Sequence, residues 1–313
     1  MITQLARSEL GRAAPSRPSA VTIGKFDGVH RGHQHLVELL LAQAREHDLA
    51  SVVVTLHPHP ISVLRPGVRI SYLCSLEERV SLLEGLGVEK VAVLSFTSEL
   101  AQLSYQDFVS LIIEQLDMRL LLAGPDMALG RDRAGNVDAL RELAPKMGFE
   151  LSVVELLSED DVKVGSGAVR EALAAGEMET VNQLLGRPFA LHGPVVLGAE
   201  RGRAIGFPTA NIAIGQDLAL PSFGVYVTRA YLGESTYGSV TNIGQRPTFE
   251  DDRPTIETHL LDFEGDCYEQ ELRIELLHRL RAEVRFDSVD ALKAQIAKDV
   301  ETARGYFKKE PGR

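Results

Sequence analysis

Hydrophobic and polar residues alternate in two patterns along the first half of the chain. Short runs rich in β-branched residues, such as SAVTIG at residues 19–24 and LASVVVTL at 49–56, are typical of buried strands. Between them lie segments with apolar residues three and four apart, which is typical of amphipathic helices; one is predicted from Gly32 to about His47. Strands alternating with helices predict a parallel α/β sheet with right-handed crossovers.

The same half contains further elements with clear start signals. Ser75, with Glu78 three residues later, is a predicted N-cap for the helix SLEERVSLLEGLGV, and Ser104 is one for YQDFVSLIIEQL. Strands are also predicted at EKVAVLSF, MRLLLAG and FELSVVELL, and helices at AGNVDALRELAPKMG and GSGAVREALAAGEMETVNQLLG.

The pattern changes after about Gly186. Six short alternating runs, separated by turn residues, predict antiparallel strands that form a small barrel. The runs are FALHGPVVLG, TANIAI, GVYVTRAYL, STYGSVTNIG, TIETHLLDF and QELRIELLHRL. A last helix is predicted to start at Asp287 or Ser288, with an apolar stripe from Val289 to Phe307. We therefore expect two domains, residues 1–184 and 185–313.

Composition narrows the classes of function. The 313 residues are 44% apolar and carry a formal net charge of −11. Such an acidic chain argues against a broad nucleic-acid surface, although phosphates can still be bound by local devices such as helix N-termini, glycine loops, arginines and Mg²⁺. The two cysteines, Cys74 and Cys267, form no CxxC pair, which favours a reducing cytosol. The sequence contains no secretory leader or membrane-spanning run, so a cytoplasmic protein is expected.

A glycine-rich loop follows the first strand and leads into the first of these helices. Gly24, Gly28 and Gly32 allow backbone N–H groups to approach a phosphate closely, and the helix start adds partial positive charge. His30 and His33 lie three apart at that start, so both imidazoles can face one anion. The loop therefore predicts a phosphate site; the alternative is a pair of surface histidines at a helix end.

A second constellation is GRAIGFPTANI, residues 202–212. Gly202 and Gly206 make the loop flexible, and Phe207 and Pro208 lead into a predicted strand. Thr209 and Asn211, two apart on that strand, share a face and offer the oxygen ligands that suit Mg²⁺. The alternative for these two residues is ordinary strand-edge polarity.

The first of these motifs resembles a known superfamily. GKFDGVHRGH is similar to the G-x-F-D-G-x-H-x-G-H signature of nucleotidylyltransferases, and TLHPHP resembles the second segment of the adenylyltransferase module in bacterial bifunctional riboflavin kinase/FAD synthetases. The resemblance implies a Rossmann-like domain in which Phe26, Asp27 and the two histidines help bind ATP. It also implies that FMN attacks the α-phosphorus and pyrophosphate leaves.

Two segments of this half depart from the family pattern. GPDMALG keeps Asp126 and Gly130, but Met127 and Leu129 replace aromatic residues. GSGAVR keeps Ser166 and Arg170, but Gly165 and Gly167 replace residues with hydroxyl groups. The resemblance implies that Asp126, Ser166 and Arg170 contact the nucleotide.

The second half resembles riboflavin kinase. The match runs through G-F-P-T-A-N, N-I-G-x-R-P-T-F and E-x-H-L-L-D-F, and the two resemblances together cover about residues 20–307. It implies a six-stranded barrel in which Mg²⁺ and ATP bind and Glu257 accepts the hydroxyl proton of riboflavin. Asn242 and Arg246 position a loop or the nucleotide, or else stabilise a turn.

The leading hypothesis is a bifunctional enzyme that makes FMN from riboflavin and ATP, and then FAD from FMN and ATP. One alternative is a riboflavin kinase with a degenerate adenylyltransferase half, suggested by the altered segments. Another is a flavin-binding regulator without turnover, against which Thr209, Asn211 and Glu257 count. The sequence leaves the oligomeric state open between a monomer and a weak homo-oligomer.

Overall fold

A computed structural model describes residues 2–155, 158–159, 162–198, 202, 205–245 and 254–309. The chain divides into two compact units, Met1–Ser166 and Gly167–Arg313. The sequence places the boundary between the two expected activities at residues 184 and 185, and this boundary stays a prediction.

The first unit contains helices and short strands in alternation. Its helices are α1 (Ile2–Arg12), α2 (Arg31–Glu46), α3 (Pro60–Leu64), α4 (Leu76–Gly85), α5 (Tyr105–Leu116) and α6 (Val137–Met147). Its strands are β1 (Ser19–Gly24), β2 (Ala50–His57), β3 (Lys90–Ser95), β4 (Met118–Ala123), β5 (Ala128–Leu129), β6 (Gly135–Asn136), β7 (Glu150–Val153), β8 (Ser158–Glu159) and β9 (Val162–Lys163). Three single-turn 3₁₀ helices lie at Asp27–Val29, Leu100–Gln102 and Arg131–Arg133.

Five strands form the predicted parallel sheet, in the order β3-β2-β1-β4-β7. The sheet buries both of its faces, as the continuous β-branched runs indicate: Val52 and Val54 pack into one core and Val53 into the other. Strand order reverses between β1 and β4, which are neighbours although far apart in the chain. Ligands of such sheets bind beyond the carboxyl ends of the strands at this reversal.

The predicted caps are present at two helix starts. The hydroxyl of Ser75 accepts a hydrogen bond from the Glu78 N–H, and that of Ser104 accepts one from the Asp107 N–H. Helix α1 was not predicted. It buries Ala6 and Leu10 against the sheet, and the Glu9 carboxylate accepts hydrogen bonds from the N–H and hydroxyl of Ser95.

The second unit is a closed barrel with flanking helices, as expected. Its helices are α7 (Ser166–Ala175, which begins on the last residue of the first unit), α8 (Met178–Leu185) and α9 (Val289–Lys309). Its strands are β10 (Phe189–Val196), β11 (Ala210–Ile212), β12 (Gly224–Leu232), β13 (Ser235–Gln245), β14 (Pro254–Leu260) and β15 (Glu271–Arg281). The barrel order is β10-β11-β14-β13-β12-β15, and the pairings are antiparallel.

A buried hydroxyl network crosses three strands of this barrel. Thr228 shares hydrogen bonds with Ser239 and Thr241, and Thr241 shares one with Thr258; all four are fully buried. Each hydroxyl thus has a partner, which buried polar groups require. Because side chains alternate along a strand, Asn242 and Glu257 lie on the opposite face from this network.

Helix α9 covers part of that opposite face. Ala303 is fully buried in a cluster with Val225, Val227 and Val240. Ser288 caps the helix by accepting a hydrogen bond from the Ala291 N–H. The predicted stripe is wrong at its first member, because Val289 is 61% exposed in the first turn. In the described part of the chain, no helix combines the length and apolarity needed to cross a bilayer.

Candidate active sites

The loop between β1 and α2 has a tightly constrained backbone. Phe26 has a left-handed conformation with φ 49°, and Gly28 has φ 76°. A Cβ atom on Gly28 would lie 2.8 Å from Cβ of Leu73, so both the conformation and the space require glycine. Gly24 is equally enclosed, since a Cβ there would lie 2.9 Å from the Phe26 ring.

His30 and His33 lie side by side at the start of α2. His30 precedes the first helical residue and is 6% exposed; His33 is partly exposed one turn later. Their rings stack with centroids 3.7 Å apart and planes 21° apart. The Phe26 ring packs on His33 with centroids 5.0 Å apart, which fixes the pair against the loop.

The environment of His33 favours its neutral form. Desolvation lowers its pKa well below the ordinary value, and the nearby charges of His30, Lys25 and Arg79 lower the pKa further. Its Nδ1 atom has no hydrogen-bond partner among the residues described. A neutral imidazole can donate one hydrogen bond to an incoming phosphate oxygen without a permanent charge.

Asp27 connects this loop to two other segments. Its carboxylate Oδ1 accepts a hydrogen bond of 2.9 Å from the Leu73 N–H, and its carbonyl accepts one of 3.3 Å from the Ser166 hydroxyl. A Cβ on Gly32 would lie 3.0 Å from the Val164 carbonyl oxygen. The structure therefore brings Ser166 next to the loop, 139 residues away in sequence.

The other residues predicted for the adenylyltransferase half have different surroundings. Asp126 is exposed, and its carbonyl accepts a hydrogen bond from Arg133. Met127 and Leu129, which replace aromatic residues, pack into the core of the first unit. Arg170 lies on α7 within the second unit, and its contact with nucleotide stays a prediction.

Sequence reasoning missed a group of residues beneath the loop. Arg79 of α4 is 1% exposed, and the rings of His57 and Tyr72 lie 5.6 Å apart next to it. Desolvation lowers the pKa of His57, and Arg79 lowers it further. The TLHPHP motif marks His57 as a candidate site residue, but an arginine on an amphipathic helix carries no sequence signal that it is buried near a site.

In the second unit, three predicted residues form a row across neighbouring strands. Asn211 of β11 pairs in register with Glu257 of β14, which pairs with Asn242 of β13. Residues directly opposite each other on adjacent strands share a face and have Cβ atoms about 5 Å apart. The row therefore places a carboxylate between two amides on the outer face of the barrel.

Two described glycines before β11, Gly198 and Gly202, are closely packed against residues of this region. A Cβ on Gly198 would lie 2.1 Å from the Asn211 amide nitrogen, and one on Gly202 would lie 2.3 Å from the Phe207 carbonyl and 3.3 Å from the Thr209 hydroxyl. The Gly202 carbonyl accepts hydrogen bonds from the N–H groups of Ile205 and Phe207. Gly198 therefore packs on Asn211, and Gly202 packs next to Thr209.

Other residues of the loop have different surroundings. Gly206 has φ 90° and is exposed, with open space at its Cβ position, so its backbone angle alone favours glycine. His259 donates from Nδ1 to the Pro208 carbonyl at 2.8 Å and packs edge-on against the Phe207 ring. His259 thus fixes the segment that carries Thr209.

The far side of the row meets the chain after β15. The Asn242 amide donates a 3.4 Å hydrogen bond to Glu283, whose carboxylate lies against Gly244. Arg246, which the sequence predicted to position a loop or the nucleotide, lies outside the described residues. Two aromatic residues near the start of β12 differ in exposure: Tyr226 is fully buried, whereas Phe223 is 38% exposed.

Thr209 and Asn211 fit a magnesium ion by their chemistry. Both present oxygen ligands, and Gly198 and Gly202 pack so closely on this segment that neither position accepts a side chain. In the parts of the chain that the structure describes, no three His, Cys, Asp or Glu side chains cluster to hold a metal. A site with few protein ligands, completed by phosphate oxygens and water, is what Mg²⁺ prefers.

Comparisons with known proteins give a separate family match for each half of the chain. Residues 13–168 match the family model for FAD synthetase, and residues 185–307 match that for riboflavin kinase. The chain is 38% identical over 296 residues to a bifunctional riboflavin kinase/FMN adenylyltransferase from Escherichia coli K12, covering 94% of each chain. It is 37% identical to a protein of the same description from Bacillus subtilis, covering 92% of each.

A solved structure is also similar over nearly the whole length. It is a protein from Streptococcus pneumoniae described as a macrolide-efflux protein, with a TM-score of 0.87 and 31% sequence identity. The match covers 94% of this chain and 96% of that one. The two-unit architecture is thus present in an experimental structure.

Proposed function

We propose that the two units of this chain, which belongs to the family of bifunctional riboflavin kinase/FMN adenylyltransferases, each hold one of the two activities. It phosphorylates riboflavin to FMN and adenylylates FMN to FAD. The observation that carries this conclusion is that both family models match, one in each half, with relatives that align over 94% of the chain. Nothing in the comparisons supports the degenerate-half or regulator alternatives.

For adenylylation, we assign phosphate binding to the β1–α2 loop. The imidazole of His30 and the neutral imidazole of His33, with the N–H groups around Gly28 and Gly32, donate hydrogen bonds to ATP phosphate oxygens. Donors placed in advance are most effective where charge develops on the leaving pyrophosphate. Ser166 lies beside Asp27 and adds a hydroxyl, and we assign nucleotide contacts also to Asp126 and Arg170.

For phosphorylation, we assign the proton-accepting role to Glu257. Its carboxylate lies in the Asn211–Glu257–Asn242 row on the outer face of the barrel, next to the Thr209 loop. Thr209 and Asn211 would hold Mg²⁺, which neutralises phosphate charge when bound. We assign contacts with the nucleotide or flavin to Gly202, Gly206, Phe207, Pro208, Asn242 and Arg246.

We also propose a cytosolic setting in which riboflavin, ATP and Mg²⁺ are supplied as small molecules. Cys74 and Cys267 are both free, and burial raises the pKa of Cys74 to about 11, which keeps that thiol unreactive.

The direct test is an assay of the purified chain. With riboflavin, ATP and Mg²⁺, we expect FMN to accumulate first and FAD afterwards, resolved by chromatography of the flavins. A product that stops at FMN would contradict the adenylylating assignment, and unchanged riboflavin would contradict the phosphorylating assignment; supplied FMN then tests adenylylation by itself. Omitting Mg²⁺ should stop the first step.

Gly165 provides a separate prediction about the adenylylation site. A Cβ at this position meets nothing within 4 Å, so serine fits without strain. We expect Gly165→Ser to raise kcat/KM for FMN adenylylation about tenfold, because a hydrogen bond to a charged group contributes about 1.5–3 kcal/mol. Steady-state kinetics with supplied FMN measure the effect.

The matched control is Gly165→Ala, which adds the Cβ without the hydroxyl. It should leave kcat/KM within about twofold of the parent, since no neighbour is displaced. Equal gains in both variants would show that backbone stiffening, and not the hydroxyl, is responsible. A loss in both would place Gly165 against the bound nucleotide.

A further inference from the structure

Arg79 is a buried cation with few hydrogen bonds. It is 1% exposed, and only its Nη1 atom donates, at 3.5 Å to the Thr55 hydroxyl and 3.4 Å to the Leu56 carbonyl. Its Nε and Nη2 atoms have no hydrogen-bond partner among the described residues. Its guanidinium carbon lies 5.6 Å from the centre of the Tyr72 ring.

The carboxylate of Asp27 supplies the negative charge opposite this guanidinium. Asp27 is 2% exposed, and its Oδ1 lies 3.9 Å from Nη2 of Arg79, which is an ion pair without a hydrogen bond. Burying two charges is unfavourable unless they are closely paired and hydrogen-bonded. The Arg79–Asp27 pair is too loosely bonded for stability alone to explain why Arg79 is buried as a cation. The charge of Arg79 therefore has another role.

The position of Asp27 indicates that role. The side chain of Asp27 bonds to Leu73 and its carbonyl bonds to Ser166, which fixes the β1–α2 loop, called the phosphate loop below. Asp27 lies in this loop between the left-handed residues Phe26 and Gly28. A cation that attracts the Asp27 carboxylate therefore acts on the loop that presents the two histidines. The same cation places fixed positive charge beneath a site that must bind a triphosphate.

We infer that Arg79 is a positioning residue of the adenylylation site, which anchors the phosphate loop through Asp27 and adds buried positive charge under it. The inference rests on the proposed adenylylation of FMN by this unit and deepens it. It does not make Arg79 a catalytic residue, because its contacts are to the protein.

The charge of Arg79 also affects the histidine environment. Together with His30 and Lys25, it lowers the pKa of His33, in addition to the larger effect of desolvation. Removing a cation stabilises the imidazolium form, so the pKa of His33 should rise. The acidic limb of the kcat/KM profile, which reports groups of the free enzyme, should then move to higher pH.

The test compares Arg79→Met with Arg79→Lys in the full chain. We expect Arg79→Met to lower kcat/KM for adenylylation about 100-fold, as misplacement by an ångström can do, and to move the acidic limb upward. Arg79→Lys keeps the charge, so it should keep the parent acidic limb and recover part of the rate. Riboflavin phosphorylation by the same protein should stay within about twofold and report that the second unit is folded.

Two results would overturn the inference. One is an equal loss of adenylylation in both variants with an unchanged acidic limb, which indicates packing alone. The other is unchanged adenylylation in Arg79→Met. Failure of the proposed function is separate, because the parent protein would then make no FAD from FMN.

A double variant covers the case in which Arg79→Met does not fold. Asp27→Asn with Arg79→Met removes both buried charges and should unfold at higher urea than either single variant, because each single variant leaves one buried charge unpaired and the double variant leaves none. Its adenylylation should still be about 100-fold below the parent. Parent-like adenylylation in the double variant would also refute the inference.

Discussion

Replacing Glu257 with glutamine is expected to lower riboflavin phosphorylation about a thousandfold, within the usual worth of a positioned general base. Glutamine keeps the length and shape of the side chain between Asn211 and Asn242 but cannot accept the hydroxyl proton. Conversion of supplied FMN to FAD should stay within about twofold of the parent, because the β1–α2 loop belongs to the other unit. Flavin chromatography, started from riboflavin in one set and FMN in another, measures both steps.

The loss should appear in kcat more than in KM. A base that acts on the reacting hydroxyl contributes mainly in the transition state, whereas a residue that only lines the flavin site would raise KM. Glu271 gives a matched control: it is an exposed glutamate at the start of β15, and Glu271→Gln should leave both steps unchanged. A Glu257→Gln protein that phosphorylates riboflavin within tenfold of the parent would refute the assignment.

The sequence predicted the elements of this protein well because their signals are local. Ser75 and Ser104 cap their helices as expected, and Val52, Val53 and Val54 show in three residues that the sheet buries both faces. Helix α1 gave a weaker signal, since Leu5 is half-exposed and only one side of the short helix is buried. Its attachment through Glu9 to Ser95 joins positions 86 residues apart.

The candidate sites were predictable only in part, for the same reason. The glycines, His30 and His33 lie within ten residues, so their spacing carries information. The pairing of Asn211 with Glu257 depends on the register of β11 against β14, and it becomes visible only when the barrel closes. Arg79 escaped prediction because an arginine on a helix is usually solvated, and its burial follows from packing below the loop.

Replacing both His30 and His33 with alanine should give the converse result. We expect FMN adenylylation to fall about a thousandfold, because the loss of even one preorganised donor to developing charge costs about 100- to 1,000-fold. Riboflavin phosphorylation should stay within about twofold, which also shows that the second unit is folded. The measurement is FAD formed from supplied FMN, next to FMN formed from riboflavin.

The single variants distinguish a joint role from two separate ones. The rings stack at 3.7 Å, so removing His33 also removes the neighbour that orients His30. Groups that act as a unit are strongly non-additive, so either single variant should lose nearly as much as the pair. His35→Ala is the control on the same helix and should leave adenylylation unchanged. If the double variant keeps more than a tenth of the parent rate, the imidazoles are helix-end residues and ATP phosphates bind elsewhere.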